Sequence, residues 1–188
     1  MKLILRLIMN IIILCSLTIA NCQSKMVSIK GGTYTPLYGR DSLKVRINDF
    51  QMDVYPVTNN AFLEFVKKYP KWQRSKIKKL FADDNYLLDW KSDTELSENQ
   101  NLKAPATNVS WFVANDYCER QGKRLPTIDE WEYAAMANEN MAGSAAIGAT
   151  DLMNYAAFMR YAIRGSVKAK YAMKNLGFRC VKDIIEEQ

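Results

Sequence analysis

The sequence predicts an α+β fold of short strands and about three helices, and three observations carry it. Apolar residues recur at helical spacing in three places, at 59–69, 111–118 and 128–135. Short extended stretches flank them: Met26-Val27-Ser28-Ile29 before the Gly31-Gly32 turn, and Asn175 to Val181 near the far end. The third is a dense motif. Ala106-Thr107-Asn108-Val109-Ser110-Trp111 is followed by Tyr117-Cys118-Glu119-Arg120-Gln121-Gly122-Lys123-Arg124-Leu125-Pro126-Thr127, then Ile128-Asp129-Glu130-Trp131-Glu132-Tyr133-Ala134-Ala135.

A chain of 188 residues is room for one domain. With 48% apolar residues it can bury a core without depending on crosslinks. The formal charge is +6, part of it from Lys2 and Arg6. The remainder is mildly basic, which suits an anionic membrane surface and gives no footprint for nucleic acid. Histidine is absent. That removes Ser-His-Asp and Cys-His catalysis, histidine-bound zinc and histidine-bound iron. Proton transfer would fall to carboxylates, lysine, tyrosine or cysteine.

Residues 1–22 read as an export signal. Lys2 and Arg6 open it, and Leu7 to Leu17 is apolar apart from Asn10 and a few small residues. Thr18-Ile19-Ala20-Asn21-Cys22 closes it. The cysteine suggests a bacterial lipoprotein signal with Cys22 lipidated as the first mature residue. Cleavage after Ala20 and an uncleaved membrane anchor are the alternatives. All three place the domain at 23–188 outside the cytoplasm. Removal of Cys15 and lipidation of Cys22 would leave Cys118 and Cys180, an even pair in an oxidising compartment, where a bridge is expected.

Val45 and Ile47 lie in an alternating stretch, so 43–54 reads as a strand or hairpin arm. Thr58 or Asn59 caps the first helix, whose face carries Phe62, Phe65, Val66 and Tyr69. Between 67 and 103 lies a charged insertion, basic first (Lys67, Lys68, Lys71, Arg74, Lys76, Lys78, Lys79) and then acidic. It reads as a solvated segment whose halves compensate, with a lipid-headgroup patch as the functional alternative. Ser110 caps the second helix, with Trp111, Ala114, Tyr117 and Cys118 on the inner face, and Gly122 ends it. Thr127 and Glu130 form a capping box for the third, in which Trp131, Ala134 and Ala135 face inward. Arg164-Gly165-Ser166 and 175–181 read as closing strands, with Gly177 at a bulge or close backbone approach.

The motif at 106–135 resembles the formylglycine-generating enzyme family, the sulfatase-modifying-factor domain. So do Met26 to Tyr34, Phe50 to Asn59 and the closing Gly177-Phe178-Arg179-Cys180. The resemblance implies a compact, irregular C-type-lectin-like fold and a disulfide between Cys118 and Cys180. The long loop this bridge closes would stabilise the domain by about 4 kcal/mol through chain entropy.

The resemblance also implies where catalysis should sit. Family enzymes oxidise a sulfatase cysteine to formylglycine with two cysteines that bind copper. The first stands three residues after the serine of an Arg-Gly-Gly-Ser block. Here the block is contracted to Arg164-Gly165-Ser166-Val167, and the count reaches Ala169. The stretch that would carry the second is nearly gone. The family's calcium ligands fall in a region shortened here, where Asp151 and Asn154 follow Asn140 as the candidate oxygen donors, too few for six to eight ligands. The sister branch that makes ergothioneine precursors needs histidine-bound iron. No catalytic residue, metal or cofactor is therefore expected. Asp129, Glu130 and Glu132 read as structural acids at a helix start.

The expectation is a membrane-tethered, non-catalytic accessory or binding lipoprotein acting on an envelope protein through assembly or maturation. Cell-envelope lipoproteins resembling this family serve structurally in gliding motility and secretion. A shortened formylglycine-generating oxidase is the enzyme alternative. Lectin-like display is another, in which Tyr155, Phe158, Tyr161 and Tyr171 form a binding surface; otherwise these rings fill the space left by deleted loops.

Overall fold

The computed structural model describes residues 25–36, 43–136 and 166–184. In chain order the elements are β1 (Met26–Ile29), β2 (Gly32–Tyr34), β3 (Val45–Ile47), β4 (Phe50–Asp53), α1 (Asn59–Lys68), a 3-10 turn (Pro70–Trp72), β5 (Trp90–Ser92), β6 (Glu95–Leu96), α2 (Trp111–Arg120), α3 (Ile128–Met136) and β7 (Val181–Asp183). Among the described residues this is the expected α+β arrangement of short strands and three helices.

One antiparallel sheet joins the two ends of the domain in the order β1-β4-β7. Met26 faces Asp53 and Ile29 faces Phe50 on one edge; Phe50 faces Asp183 and Met52 faces Val181 on the other. Strand β4 is central, and Phe50, Met52 and Asp53 are buried on it. The β2–β3 and β5–β6 hairpins are separate two-stranded ribbons. Gly31 is required at the first of these. A Cβ there would stand 2.3 Å from the Ile47 carbonyl oxygen, backbone that cannot yield.

Helix α1 begins where predicted. Thr58 Oγ1 accepts the Ala61 N–H at 3.3 Å, and Phe62, Phe65 and Val66 are buried along its inner face. Phe62 is the hub of the larger core, with ring centroids 5.9 Å from Tyr117, 5.9 Å from Phe178 and 6.2 Å from Trp90. A smaller cluster of Tyr34, Ile47, Phe50, Met52, Ala134 and Val181 sits between the sheet and α3.

The segment 67–103 differs from its expected solvated character. Trp72, Ala82, Tyr86, Leu87 and Trp90 are buried in the main core. Its charges do pair within the segment, as Lys79 with Asp84 and Lys91 with Glu95. Others reach outward: Asp116 on α2 accepts from Lys71 and, at 2.6 Å, from the Trp72 indole. Arg74 donates to the carbonyls of Leu87 and Trp90 at 3.0 and 3.2 Å. The aromatic anchors follow neither a helical nor a strand period, so charge dominates the sequence pattern.

Helix α2 departs from its reading at its first turn. Ser110 is the N-cap by backbone, but its hydroxyl makes no capping bond and is buried without a partner. Trp111 is 52% exposed, and the inner face begins two residues later with Val113, Ala114, Tyr117 and Cys118. Gly122 ends the helix at φ +67° as expected. In α3 the capping box forms in both directions, with the Glu130 N–H donating to Thr127 Oγ1 at 3.1 Å and the Thr127 N–H to Glu130 Oε2 at 2.8 Å. Ala134 and Ala135 are buried, whereas Trp131 is only half-buried beneath the Arg179 guanidinium. Glu132 is buried and partnered. The closing strand begins only at Val181, at the end of the expected 175–181 stretch, while Arg164 and Gly165 of the other expected strand lie outside the described residues; a Cβ on Gly177 would approach the Ala106 carbonyl oxygen to 3.4 Å.

Candidate functional site

The segment 166–174, on which the count from the Arg164-Gly165-Ser166 block places the family's expected reactive position at Ala169, lies across the start of α2. Its backbone is tied down at three points. The Trp111 N–H donates to the Ala169 carbonyl at 2.9 Å, the Asn108 N–H to Met173 at 3.0 Å, and the Asp83 N–H to Lys170 at 3.0 Å. Asp83 Oδ1 also accepts the Ala172 N–H at 3.2 Å. Beneath this segment, Asn108 adopts φ +54° and its side chain donates to Asp89 at 2.8 Å. Its carbonyl accepts from Leu87, itself at φ +48°, a conformation unfavourable for a bulky residue and held by the surrounding bonds.

These ties leave a hollow of about 350 Å³ lined by Val109, Trp111, Val167, Ala169, Tyr171 and Leu176. Lys168 also lines it, with its ammonium 5.8 Å from the Tyr171 ring centroid. A larger hollow of about 590 Å³ lies beside the β2–β3 hairpin, near Lys30, Arg46 and Asp49. Asp49 there already accepts the Gly31 N–H at 2.8 Å, and the Lys30 carbonyl accepts from Tyr133. The smaller hollow is the candidate site because Ala169 belongs to it.

Cys118 and Cys180 are joined by a disulfide, with Cα atoms 5.5 Å apart and both residues fully buried. A copper pair would need two free thiolates near Ala169. The position carries a methyl group, and the two cysteines among the described residues are oxidised to each other. The residues present do not fit a family-type copper site. The candidate calcium donors Asp151 and Asn154, the expected lipidation residue Cys22, and the rings of Tyr155, Phe158 and Tyr161 lie outside the described residues. Tyr171 is described, is 40% exposed, and lines the hollow. Sequence reasoning missed Trp111, Val167 and Lys168 as its neighbours. The signal was Trp111 itself, a large ring in the first turn of a helix whose apolar stripe begins later.

The acids of α3 are engaged structurally. Burial pushes the Glu130 carboxyl up, but Arg124 and Thr127 outweigh it and hold it below its ordinary value. Arg124 donates to Glu130 at 2.6 and 2.7 Å and also binds Asp183, linking α3 to β7. The Asp183 carboxyl is lowered chiefly by that hydrogen bond. Asp129 accepts from the Tyr34 hydroxyl at 3.2 Å.

Fold and site define a disulfide-stapled α+β domain with an apolar hollow lined by Trp111, Ala169 and Tyr171. The sulfatase-modifying factor enzyme 1-like domain matches residues 18–147, and the chain belongs to that family. Among its relatives is the inactive C-alpha-formylglycine-generating enzyme 2 of Bos taurus, 30% identical over 155 residues, covering 63% of this chain and 51% of that protein. The formylglycine-generating enzyme of Bos taurus is 28% identical over 149 residues, 59% of this chain and 39% of that one. The serine/threonine-protein kinase pkn1 of Chlamydia pneumoniae is 35% identical over 118 residues, 60% of this chain and 19% of the kinase. The chain thus spans between about a fifth and a half of these relatives' own length.

Proposed function

We propose that the chain is a membrane-tethered, non-catalytic binding or accessory lipoprotein acting in envelope protein assembly or maturation. One observation carries the reading. Ala169 stands where the count from the Arg164-Gly165-Ser166 block expects the family's first cysteine, and its carbonyl is fixed by the Trp111 N–H at the edge of an apolar hollow. The core motifs that build the scaffold are retained while the group that would do chemistry is replaced. Such a division suits a scaffold that keeps its surface and drops its reaction. The exposed Tyr171 ring lining the hollow supports ligand display as the manner of binding. The membrane attachment rests on the sequence of residues 1–22, with Cys22 carrying the lipid.

Metabolic labelling with an alkyne fatty acid in a bacterial host tests the tether. The full chain should incorporate label and fractionate with membranes, and Cys22→Ala should abolish the label. Unlabelled wild-type protein released in soluble form would contradict it.

A further inference from the structure

We propose that the domain rests on the membrane through the end that carries Tyr55, whose ring lies among the lipid headgroups. This rests on the lipidated Cys22 put forward above and adds which face of the domain the bilayer meets. Gln23 and Ser24 alone separate Cys22 from Lys25, so the tether reaches at most about 11 Å. A domain of this length is about 40 Å across. A tether that much shorter than the body it holds does not let the body turn over. The face on which Lys25 stands stays against the lipid surface.

Bonds of the fold set what that face carries. The Lys25 carbonyl accepts the Val54 N–H at 2.9 Å. Tyr55 is the next residue, so its Cα lies within about 10 Å of the Lys25 Cα. Its side chain is 70% exposed, although Asp53 and Val57 on either side are buried. A ring with an apolar body and a hydroxyl tip is the kind of side chain that settles between headgroups and water. The last turn of α2 is tied to the same end: the Lys123 N–H donates to the Cys118 carbonyl at 3.0 Å, and Lys123 Nζ reaches Asp53 Oδ1 at 2.6 Å. The first turn, with Trp111 and Phe112, is about 15 Å away along the ten-residue helix. Leu80 marks that far end. It is 71% exposed, and the ring of its neighbour Phe81 packs 5.5 Å from Phe112. Tyr55 and Leu80 are thus equally open to solvent at opposite ends of α2.

The test uses the full chain, expressed in a bacterial host, purified with its lipid and reconstituted into vesicles of phosphatidylglycerol and phosphatidylethanolamine. Tyr55→Cys and Leu80→Cys each offer one free thiol for a fluorophore, because Cys118 and Cys180 are joined, Cys22 holds the lipid and signal cleavage removes Cys15. A nitroxide on the headgroup of some of the lipid quenches fluorophores that lie at the membrane surface. Emission from position 55 should be largely lost, and emission from position 80 should hardly change. Both variants are checked for unchanged thermal unfolding; Val27→Cys, 44% exposed on β1, is a second near position should Tyr55→Cys unfold. Equal quenching at the two ends would overturn the proposal. Stronger quenching at position 80 would also overturn it and give the membrane contact to the basic segment instead. Alkyne fatty-acid labelling of the same preparations separates the two readings. A lipidated chain that is unquenched at position 55 keeps the tether and loses this orientation, whereas a chain without lipid loses both.

Discussion

Lys123 Nζ lies 2.6 Å from Asp53 Oδ1, with the side chains only 7% and 4% exposed. The disulfide is built into the same knot. The Lys123 N–H donates to the Cys118 carbonyl at 3.0 Å, and the Asp53 N–H donates to the Cys180 carbonyl at 3.0 Å. The Cys180 N–H returns a bond to Asp53 Oδ2 at 3.4 Å. The end of α2, the centre of the sheet and the closing strand meet here. Truncating Lys123 would take the ion-pair partner from a buried carboxylate that keeps its bond from the Cys180 N–H, a loss of up to about 3–5 kcal/mol. Lys123→Met should therefore lower the urea midpoint sharply, whereas Lys91→Met, which breaks an exposed pair, should cost less than about 1 kcal/mol.

The bridge itself should be structural. Its loop spans a sequence separation of 62, which corresponds to about 4 kcal/mol by chain entropy. Cys118→Ala/Cys180→Ala should unfold at lower denaturant by about that amount. Equal stability of the double variant and wild type would mean the bridge does not form.

The segment 67–103 should behave as core at its aromatic positions and as surface at its charges. Trp90→Ala should cost about 3–5 kcal/mol, and Lys76→Ala within about 0.5 kcal/mol of nothing. Urea unfolding of the two variants separates this from a wholly solvated insertion, in which both would be neutral.

Acid should weaken the join between α3 and β7. The Glu130 and Asp183 carboxyls are lowered in the folded protein, so their contribution is present above the unfolded values and is lost as pH falls through the folded ones. The ordinary values of the two carboxyls are 4.5 and 3.8, so stability should hold through neutral pH and decline below roughly pH 4.5. Glu130→Gln should be less stable than wild type at pH 7, and the difference should shrink as pH falls through the acid range, as thermal unfolding across that range would record.

Much of this architecture was legible because local chemistry and global fold agree. Thr58, Gly122 and the Thr127–Glu130 box mark helix boundaries through bonds a sequence can announce. The disulfide followed from family resemblance together with an even pair of cysteines. What stayed hidden depends on contacts between distant segments. Trp72, Tyr86 and Trp90 reach the core from an irregular, highly charged stretch with no period to betray them. Trp111 looked like an inner-face residue because its neighbours are, yet the first turn of α2 points it toward the segment 166–174 and partly into solvent. The hollow exists only where that returning segment crosses the helix start. The position of Ala169 could be counted from the motif, but its setting could not.

The central claim is that the scaffold persists where its thiol chemistry is gone. The most direct measurement incubates the purified full chain with copper(I), oxygen and a peptide carrying a sulfatase cysteine motif, and follows the peptide by mass spectrometry. The account predicts that the cysteine stays unmodified at every copper concentration. Formylglycine in the product peptide, formed in proportion to enzyme and copper, would contradict it.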